Sequence, residues 1–486
     1  MSTNEIFERA RLSRDARFDG HFFIGVKTTR IYCRPICPAN APKSENVVYY
    51  RTAAAASEAG FRPCLRCRPE CAPGTPAWAG TSTTVHRGLR LIAQGALDDG
   101  NLEHLSDRLG VTSRHLRRLF SKHLGASPLA VAHTQRLHFA KSLIDQTSLS
   151  MREISVASGF GSVRRFNDTF KKIYGRTPGE LRRRRDAVLT GSTFAVQLPY
   201  RRPFDWERLL SFFAARATPG VESVHDGRYF RSIAVGDERG IVDVCHTGDR
   251  LLLSLHGVGT KSLFSIVQRA RSLFDLDAST DEIARVLSAD PRLKRQLKKN
   301  PGVRVPGSWD GFEVTVRAIL GQQISVRAAT TLAGRIADRY GERINVPVDG
   351  LQQAPNRLFP EPHKLVRARL ENLGVTASRA STIRSVARAA VDGSLSFDAA
   401  ESPDDFCDSL QAIKGIGDWT AQYVVMRALK YPDAFPASDL GLLRAYSGSG
   451  EERMNPEELL ARAEAWRPWR AYAALLLWGS EHGAGG

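Results

Sequence analysis

Between residues 86 and 185 apolar positions recur every three to four residues, a helical period, and the stretch repeats itself after about 50 residues. Laying 105–128 over 155–178 puts Leu116 on Phe166, Phe120 on Phe170, Gly125 on Gly175 and Pro128 on Pro178. Past "RRRRDAVLTGS" the pattern turns to short alternating runs, "TFAVQLPY", "YFRSIAV", "GIVDVCH" and "RLLLSLH", which predict strands. Helical patterns at 206–215 and 262–274 lie among them. Beyond Pro306 the pattern is helical to the end, punctuated by "VPGSWDG", "ALKYPDAFPASD" and "AWRPWR". A cluster of Pro, Gly, Ser and Thr, "APGTPAWAGTST", separates the helical repeat from a cysteine-bearing front end. The expectation is a multidomain α and α+β chain of four modules: a small four-cysteine domain over 1–75, a double helical unit over 84–188, a small α+β domain over 193–303 and an all-helical domain over 304–486.

Composition adds a partner class. The 486 residues carry 69 Lys and Arg against 51 Asp and Glu, a formal charge of +18. Such an excess favours a polyanion, nucleic acid first. The N-terminal stretch has no apolar signal region and no run approaches the roughly 18 apolar residues of a membrane span. We expect a cytoplasmic, nucleoid-associated protein with no membrane partner. Of seven cysteines, Cys33, Cys37, Cys64 and Cys67 fall at CxxxC and CxxC spacing, while Cys71, Cys245 and Cys407 read as small hydrophobes.

In "NLEHLSDRLGVTSRHLRRLF" a short helix turns at Gly110 into one exposing Arg114, Arg117 and Arg118. The second copy turns at Gly159 and presents Arg164, Arg165 and Asn167, then Lys171 and Lys172. Nine basic and two acidic residues lie between 162 and 185, so this helix suits a phosphate surface. The pair, with its ending "FKKIYGRTPGELRR", resembles the AraC-type DNA-binding domain, in which paired helix-turn-helix units enter successive major grooves. The resemblance implies a regulator whose partners are operator DNA and RNA polymerase.

In "LQAIKGIGDWTAQYVVMRAL", Gly415 and Gly417 flank Ile416 in a tight turn between apolar helices, so bare backbone N–H groups could face a phosphate. Twenty-two residues past Gly417 stands Asp439, before the apolar Leu440, Leu442 and Leu443. An Asp there serves as an N-cap, and that role is compatible with a catalytic one. With "VRAILGQQISVRAATTLAGRIADRYGE" and "AWRPWRAYAALLLWGSEHG", these stretches resemble the HhH-GPD DNA glycosylases, nearest the AlkA-type 3-methyladenine glycosylase II branch. The resemblance spans about 193–482 and implies Asp439 as catalytic carboxylate. It also implies Trp419, Tyr423 and Trp478 as the aromatic wall of a base pocket and Gln323 as the wedge that fills the gap left by a flipped base. Bifunctional members carry a Schiff-base lysine after the hairpin; here Trp419 takes that position, which implies a monofunctional enzyme without lyase chemistry.

The cysteine pairs, 26 residues apart, suit one tetrahedral zinc. Spacing alone favours a structural ribbon. The surrounding "FFIGVKTTRIYCRPICPANAPKSENVVYYRTAAAASEAGFRPCLRCRPE" resembles the N-terminal domain of the Ada-type adaptive-response family, which implies Cys33 as acceptor of a methyl group from a DNA methylphosphotriester. Cys37, Cys64 and Cys67 would complete the zinc site, and Arg34, with Arg30, Arg66 and Arg68, would meet phosphate. No organic cofactor is implied, and no PCHR-like second methyltransferase motif occurs. Two other readings stay open at the level of sequence: a regulator that binds damaged DNA without cutting the glycosidic bond, and a glycosylase whose zinc module is purely structural.

Overall fold

The computed structural model describes residues 3–72, 83–97, 101–182, 194–348, 351, 354–397, 402–447 and 454–481. Two compact units arise, one of residues 1–201, 247–254 and 258–268, the other of 202–246, 255–257 and 269–486.

The first unit opens with helix α1 (Thr3–Leu12) and a four-stranded sheet of β1 (Phe23–Val26), β2 (Ile31–Cys33), β3 (Val47–Tyr50) and β4 (Arg62–Pro63), in the order β3-β1-β2-β4. Alternation decides its two faces: Phe23 and Tyr32 join Ala53, Ala56 and Phe61 on one, while Ile24 joins Ala10 and Phe22 on the other. β1 and β2 pair antiparallel, Ile24 opposite Cys33. β2 and β4 pair parallel, Tyr32 opposite Pro63, so that Cys33 and Cys64 follow at the same sheet end. Helix α2 (Ala53–Glu58) is capped by Thr52, whose hydroxyl accepts from Ala55 N at 3.0 Å.

The helical repeat then folds as α3 (Leu102–Arg108), α4 (Ser113–Leu124), α5 (Pro128–Gln146), α6 (Met151–Ala157) and α7 (Val163–Tyr174). Matching positions do matching work. Leu116, Phe120, Phe166 and Phe170 are fully buried. Thr112 and Ser162 cap α4 and α7, and Gly125 (φ 71°) and Gly175 (φ 70°) end them in the left-handed conformation that only glycine adopts cheaply. The zinc-type module is docked on this repeat. Thr52 Oγ1 donates to Leu124 O at 2.9 Å, Ser127 Oγ to Glu58 at 2.8 Å, and Tyr32 OH meets His138 Nε2 at 2.8 Å. An ionic cluster of Arg68, Glu70, Lys141 and Asp145 ties the end of the module to α5.

The second unit begins with α8 (Trp206–Arg216) and an antiparallel meander of β5 (Glu222–His225), β6 (Arg228–Val235) and β7 (Glu238–Thr247), with Val224 opposite Tyr229 and Tyr229 opposite Val244. Glu222 in β5 was not anticipated as part of a strand, because its carboxylate is buried beside Arg231 and Arg317 where an apolar residue would be expected. The helices that carry the site are α9 (Gly311–Leu320), α10 (Val326–Tyr340), α11 (Ala377–Asp392), α12 (Pro403–Gln411), α13 (Asp418–Ala428), α14 (Leu440–Ser447) and α15 (Arg470–Glu481). Val316, Ile319 and Leu320 of α9, Ile383 and Val386 of α11, and Ala421 and Val424 of α13 meet in one core, with Leu476 and Leu477 of α15. Among the described residues no helix is long and apolar enough to cross a membrane.

Candidate functional site

Cys33 ends β2 and Cys37 lies in the turn after it; Cys64 and Cys67 follow β4. No disulfide joins them, and their four sulfurs lie within 4.8 Å of one another. A tetrahedral metal with bonds of about 2.3 Å needs sulfurs about 3.8 Å apart, so the donor set fits a zinc ion. Cys71, Cys245 and Cys407 stand outside this cluster. Arg34 differs from expectation. Its backbone N–H donates to Cys67 Sγ at 3.3 Å, and its guanidinium turns inward to Asp19 Oδ1 (2.8 Å) and Cys67 O (3.1 Å). A buried carboxylate, Asp19, therefore takes the cation that was assigned to DNA; nothing near Asp19 in sequence marks that pairing. Arg30 and Arg66 are exposed, whereas Arg68 is held by Glu70 and Asp145.

On α4 the side chains of Arg114, Arg117 and Arg118 are exposed, and on α7 so are Arg164, Arg165, Lys171 and Lys172. Their helices bury the opposite faces, as the repeat predicts.

In the second unit Asp439 stands half-buried just before α14. Its Oδ1 accepts from Leu442 N at 2.9 Å, so it caps α14, and from Trp478 Nε1 at 2.8 Å. Its Oδ2 accepts from Trp419 Nε1 at 2.6 Å. The indoles assigned to a wall thus also clamp the carboxylate, from α13 and α15. Trp419 lies parallel to Tyr423, centroids 5.4 Å apart and planes 8° from each other, which leaves no gap between the two for a third ring. Sequence reading missed Arg427. It donates from Nη1 to Tyr423 OH at 2.5 Å and from Nη2 to Gly307 O at 2.9 Å. Burial pushes the Tyr423 phenol up, but the Arg427, Arg216 and Arg317 cations outweigh it and the net direction is down. The only hint was an i, i+4 relation between Tyr423 and Arg427 on one helix face.

Gly415 has φ +97°, and a Cβ there would run into Thr382 Oγ1, whose hydroxyl donates to Lys414 O at 3.0 Å. Gly417 is different: its φ is −96° and a Cβ would meet nothing within 4 Å. It begins α13 with no side-chain cap, which leaves the first N–H groups of that helix open. Gln323 is exposed at the tip of the α9–α10 turn with φ 56°. Its neighbour Gln322 donates from Nε2 to Gly415 O (3.0 Å) and Thr420 Oγ1 (3.1 Å), pinning the two turns together.

Comparison with known proteins accounts for the whole order of modules. The metal binding domain of Ada matches residues 7–70, a helix-turn-helix domain 105–184, the AlkA N-terminal domain 195–310, and the HhH-GPD superfamily base excision DNA repair protein 316–471. The "Probable bifunctional transcriptional activator/DNA repair enzyme AlkA" of Mycobacterium tuberculosis is 40% identical over 97% of this chain and 95% of its own. DNA-3-methyladenine glycosylase 2 of Escherichia coli is 35% identical over 58% of this chain and 96% of its own. A solved 3-methyladenine DNA glycosylase from Archaeoglobus fulgidus shares the fold over 59% of this chain and 97% of its own, at 24% identity and a TM-score of 0.52. A zinc-binding sensor module, a helix-turn-helix pair and a helix-hairpin-helix excision domain in one chain define a DNA-directed regulatory and repair protein. The chain belongs to the family of the bifunctional transcriptional activator/DNA repair enzyme AlkA. Cys33, Cys37, Cys64 and Cys67 hold one zinc ion, and DNA is the chain's partner.

Proposed function

We propose that this protein senses methylation of the DNA backbone through Cys33, regulates transcription, and excises alkylated bases of the 3-methyladenine and 7-methylguanine type by monofunctional glycosidic hydrolysis at Asp439. The observation that carries the enzymatic half is the carboxylate of Asp439, held by two indole N–H groups one helix beyond the hairpin. An N-alkylated purine is cationic and already a good leaving group, so no strong general acid is needed. What the site must supply is negative charge against the oxocarbenium-like sugar as the bond breaks, and a carboxylate fixed by three N–H donors cannot swing away from it. The base would lie against the outer face of the Trp419–Tyr423 stack, flipped out of the duplex at a cost of about a few kcal/mol that damaged pairs reduce. Gln323 would fill the vacated space, and the open N–H groups after Gly417 would take a phosphate. Trp419 stands in place of a Schiff-base lysine, and the downstream Lys430 is paired with Asp275 at 3.2 Å, which supports a product that is an intact strand with an abasic site.

In the front module the Cys33 sulfur would attack the methyl carbon of a methylphosphotriester. An S–C bond forms, the C–O bond breaks, and the phosphate leaves as an ordinary diester. Bound zinc would keep the thiolates deprotonated at neutral pH. Methylating one of four thiolates lowers the local negative charge from about −2 to about −1, which eases contact with phosphate. Arg114, Arg117, Arg164 and Arg165 would carry operator binding, and activation adds RNA polymerase as a partner at the nucleoid in the cytoplasm. The modules proposed for these tasks are 1–75, 84–188, 193–303 and 304–486.

Release of methylated bases from alkylated duplex DNA tests the enzyme. Wild-type protein should leave abasic sites without strand cleavage and Asp439→Asn should be slower by about a hundredfold or more; equal inactivity of both would leave only a damaged-DNA binder. For the sensor, intact-mass and peptide mass spectrometry should find one methyl on Cys33 after exposure to methylated DNA, and labelling elsewhere would overturn the assignment.

A further inference from the structure

A concave site of about 550 Å³ lies in the second unit, lined by Arg339, Tyr340, Lys364, Val366, Arg367 and Arg369 among others. No carboxylate lines it. The side chains of Arg339, Lys364, Arg367 and Arg369 form no hydrogen bond or ion pair with any described residue, and all four are exposed. Glu371 is committed to Arg384 (2.9 Å) and Asp338 to Arg357 (2.7 Å), while Glu361 meets His363, itself on the lining, at 3.3 Å and leaves one carboxylate at the rim against the four cations. The C-termini of α10 and α11 at the rim contribute a negative partial charge of about half a unit each, which four full positive charges outweigh.

The floor is of another kind. Val366 and Leu373 are half-buried against the core, Val391 is 56% exposed, and the Tyr340 hydroxyl accepts from Arg369 N at 3.0 Å, which fixes that ring. The site is also remote from the hairpin. α10 begins beside Gln323 and reaches Tyr340 at its other end, about 21 Å away along the helix. α11 likewise begins beside Gln322, where Arg379 holds its carbonyl, and carries Val391 near its far end.

From this geometry we infer a second binding site, for a nucleoside di- or triphosphate: the phosphates on Arg339, Lys364, Arg367 and Arg369, the base on Val366, Leu373, Val391 and the Tyr340 ring. Such a ligand carries about three to four negative charges, which matches the four unpaired cations, and guanidinium groups bind phosphate bidentately. A duplex backbone would use a ridge of cations; a pocket of this volume with an apolar floor suits a small ligand.

Titration calorimetry of the full zinc-loaded chain tests it, with ATP and inorganic tripolyphosphate as probes. ATP should bind, tripolyphosphate should bind about tenfold more weakly, and Arg367→Glu with Arg369→Glu should weaken ATP at least tenfold while the melting temperature stays within a degree or two. Equal affinity for ATP and tripolyphosphate would reduce the site to an anion cradle and overturn the nucleotide assignment. Absence of ATP binding, or a charge reversal that weakens undamaged duplex DNA instead of ATP, would overturn the site itself. None of these readouts requires base excision.

Discussion

Trp419 donates its indole N–H to Asp439 Oδ2 at 2.6 Å across 20 residues of chain, while its ring lies flat on Tyr423. One side chain thereby holds the proposed catalytic oxygen and forms the wall beside it. The two duties are separable. Trp419→Phe keeps a smaller aromatic face and removes the donor, and loss of a hydrogen bond to a charged group is worth about 1.5–3 kcal/mol. Base release under single-turnover conditions should slow by about 10- to 100-fold. Trp478→Phe should cost less, because Oδ1 retains Leu442 N as a second donor. Unchanged rates in Trp419→Phe would restrict the indole to packing.

The two hairpin glycines should fail in different ways. Gly415→Ala places a side chain in a left-handed position against Thr382, costing about 1–2 kcal/mol for the backbone alone, so the melting temperature should drop by a few degrees. Gly417→Ala meets no protein atom and should melt like wild type, yet bind duplex DNA about tenfold more weakly if the open N–H groups face phosphate. Calorimetric melting together with DNA titration separates them; equal stability of both variants would refute the role of Gly415.

Arg34 should behave as a structural residue. Removing it leaves the Asp19 carboxylate, 7% exposed, without its cation, and breaking a buried pair of this kind costs about 3 kcal/mol or more. Arg34→Ala should therefore loosen the zinc module, seen as faster zinc release to a chelator. Arg66→Ala, at an exposed position, should leave zinc release unchanged and affect only DNA affinity.

Acid should weaken the docking of that module. Burial, helped by the Lys141 cation, pushes His138 down to about 4, so the ring is neutral and free to accept from Tyr32 OH. The unfolded chain takes up this proton near pH 6.5 and the folded one only near 4. Folding thus binds fewer protons, and the stabilisation present above pH 6.5 is lost as pH falls toward 4, by no more than about 3 kcal/mol. Denaturant unfolding of wild type against His138→Gln should show a shallower acid slope in the variant; parallel slopes would exclude His138 as the group responsible.

The repeat was legible because both copies solve the same local problem: an N-cap hydroxyl, an aromatic or leucine every fourth residue, a left-handed glycine and a following proline. Cysteine spacing was legible because metal ligation demands it. Asp439 was legible as a cap, since a cap is set by neighbours three residues away. Glu222, buried between Arg231 of the neighbouring strand and Arg317 of a helix 95 residues away, had no local signature.

The sequence by itself determined the order of the modules and the metal ligands, since each rests on periodicity or on spacing within a few dozen residues, and it marked Asp439 as a cap; the catalytic role proposed for Asp439 rests on a family resemblance. Only the tertiary structure decided how those groups are used. It turned Arg34 from DNA to Asp19, brought Trp419 and Trp478 from separate helices onto one carboxylate, locked Gln322 to the hairpin, and gathered four unpaired cations over an apolar floor. Side-chain partners of this kind meet only after helices pack, because hydrogen bonds and ion pairs act over about 3 Å while the residues that form them lie tens of positions apart.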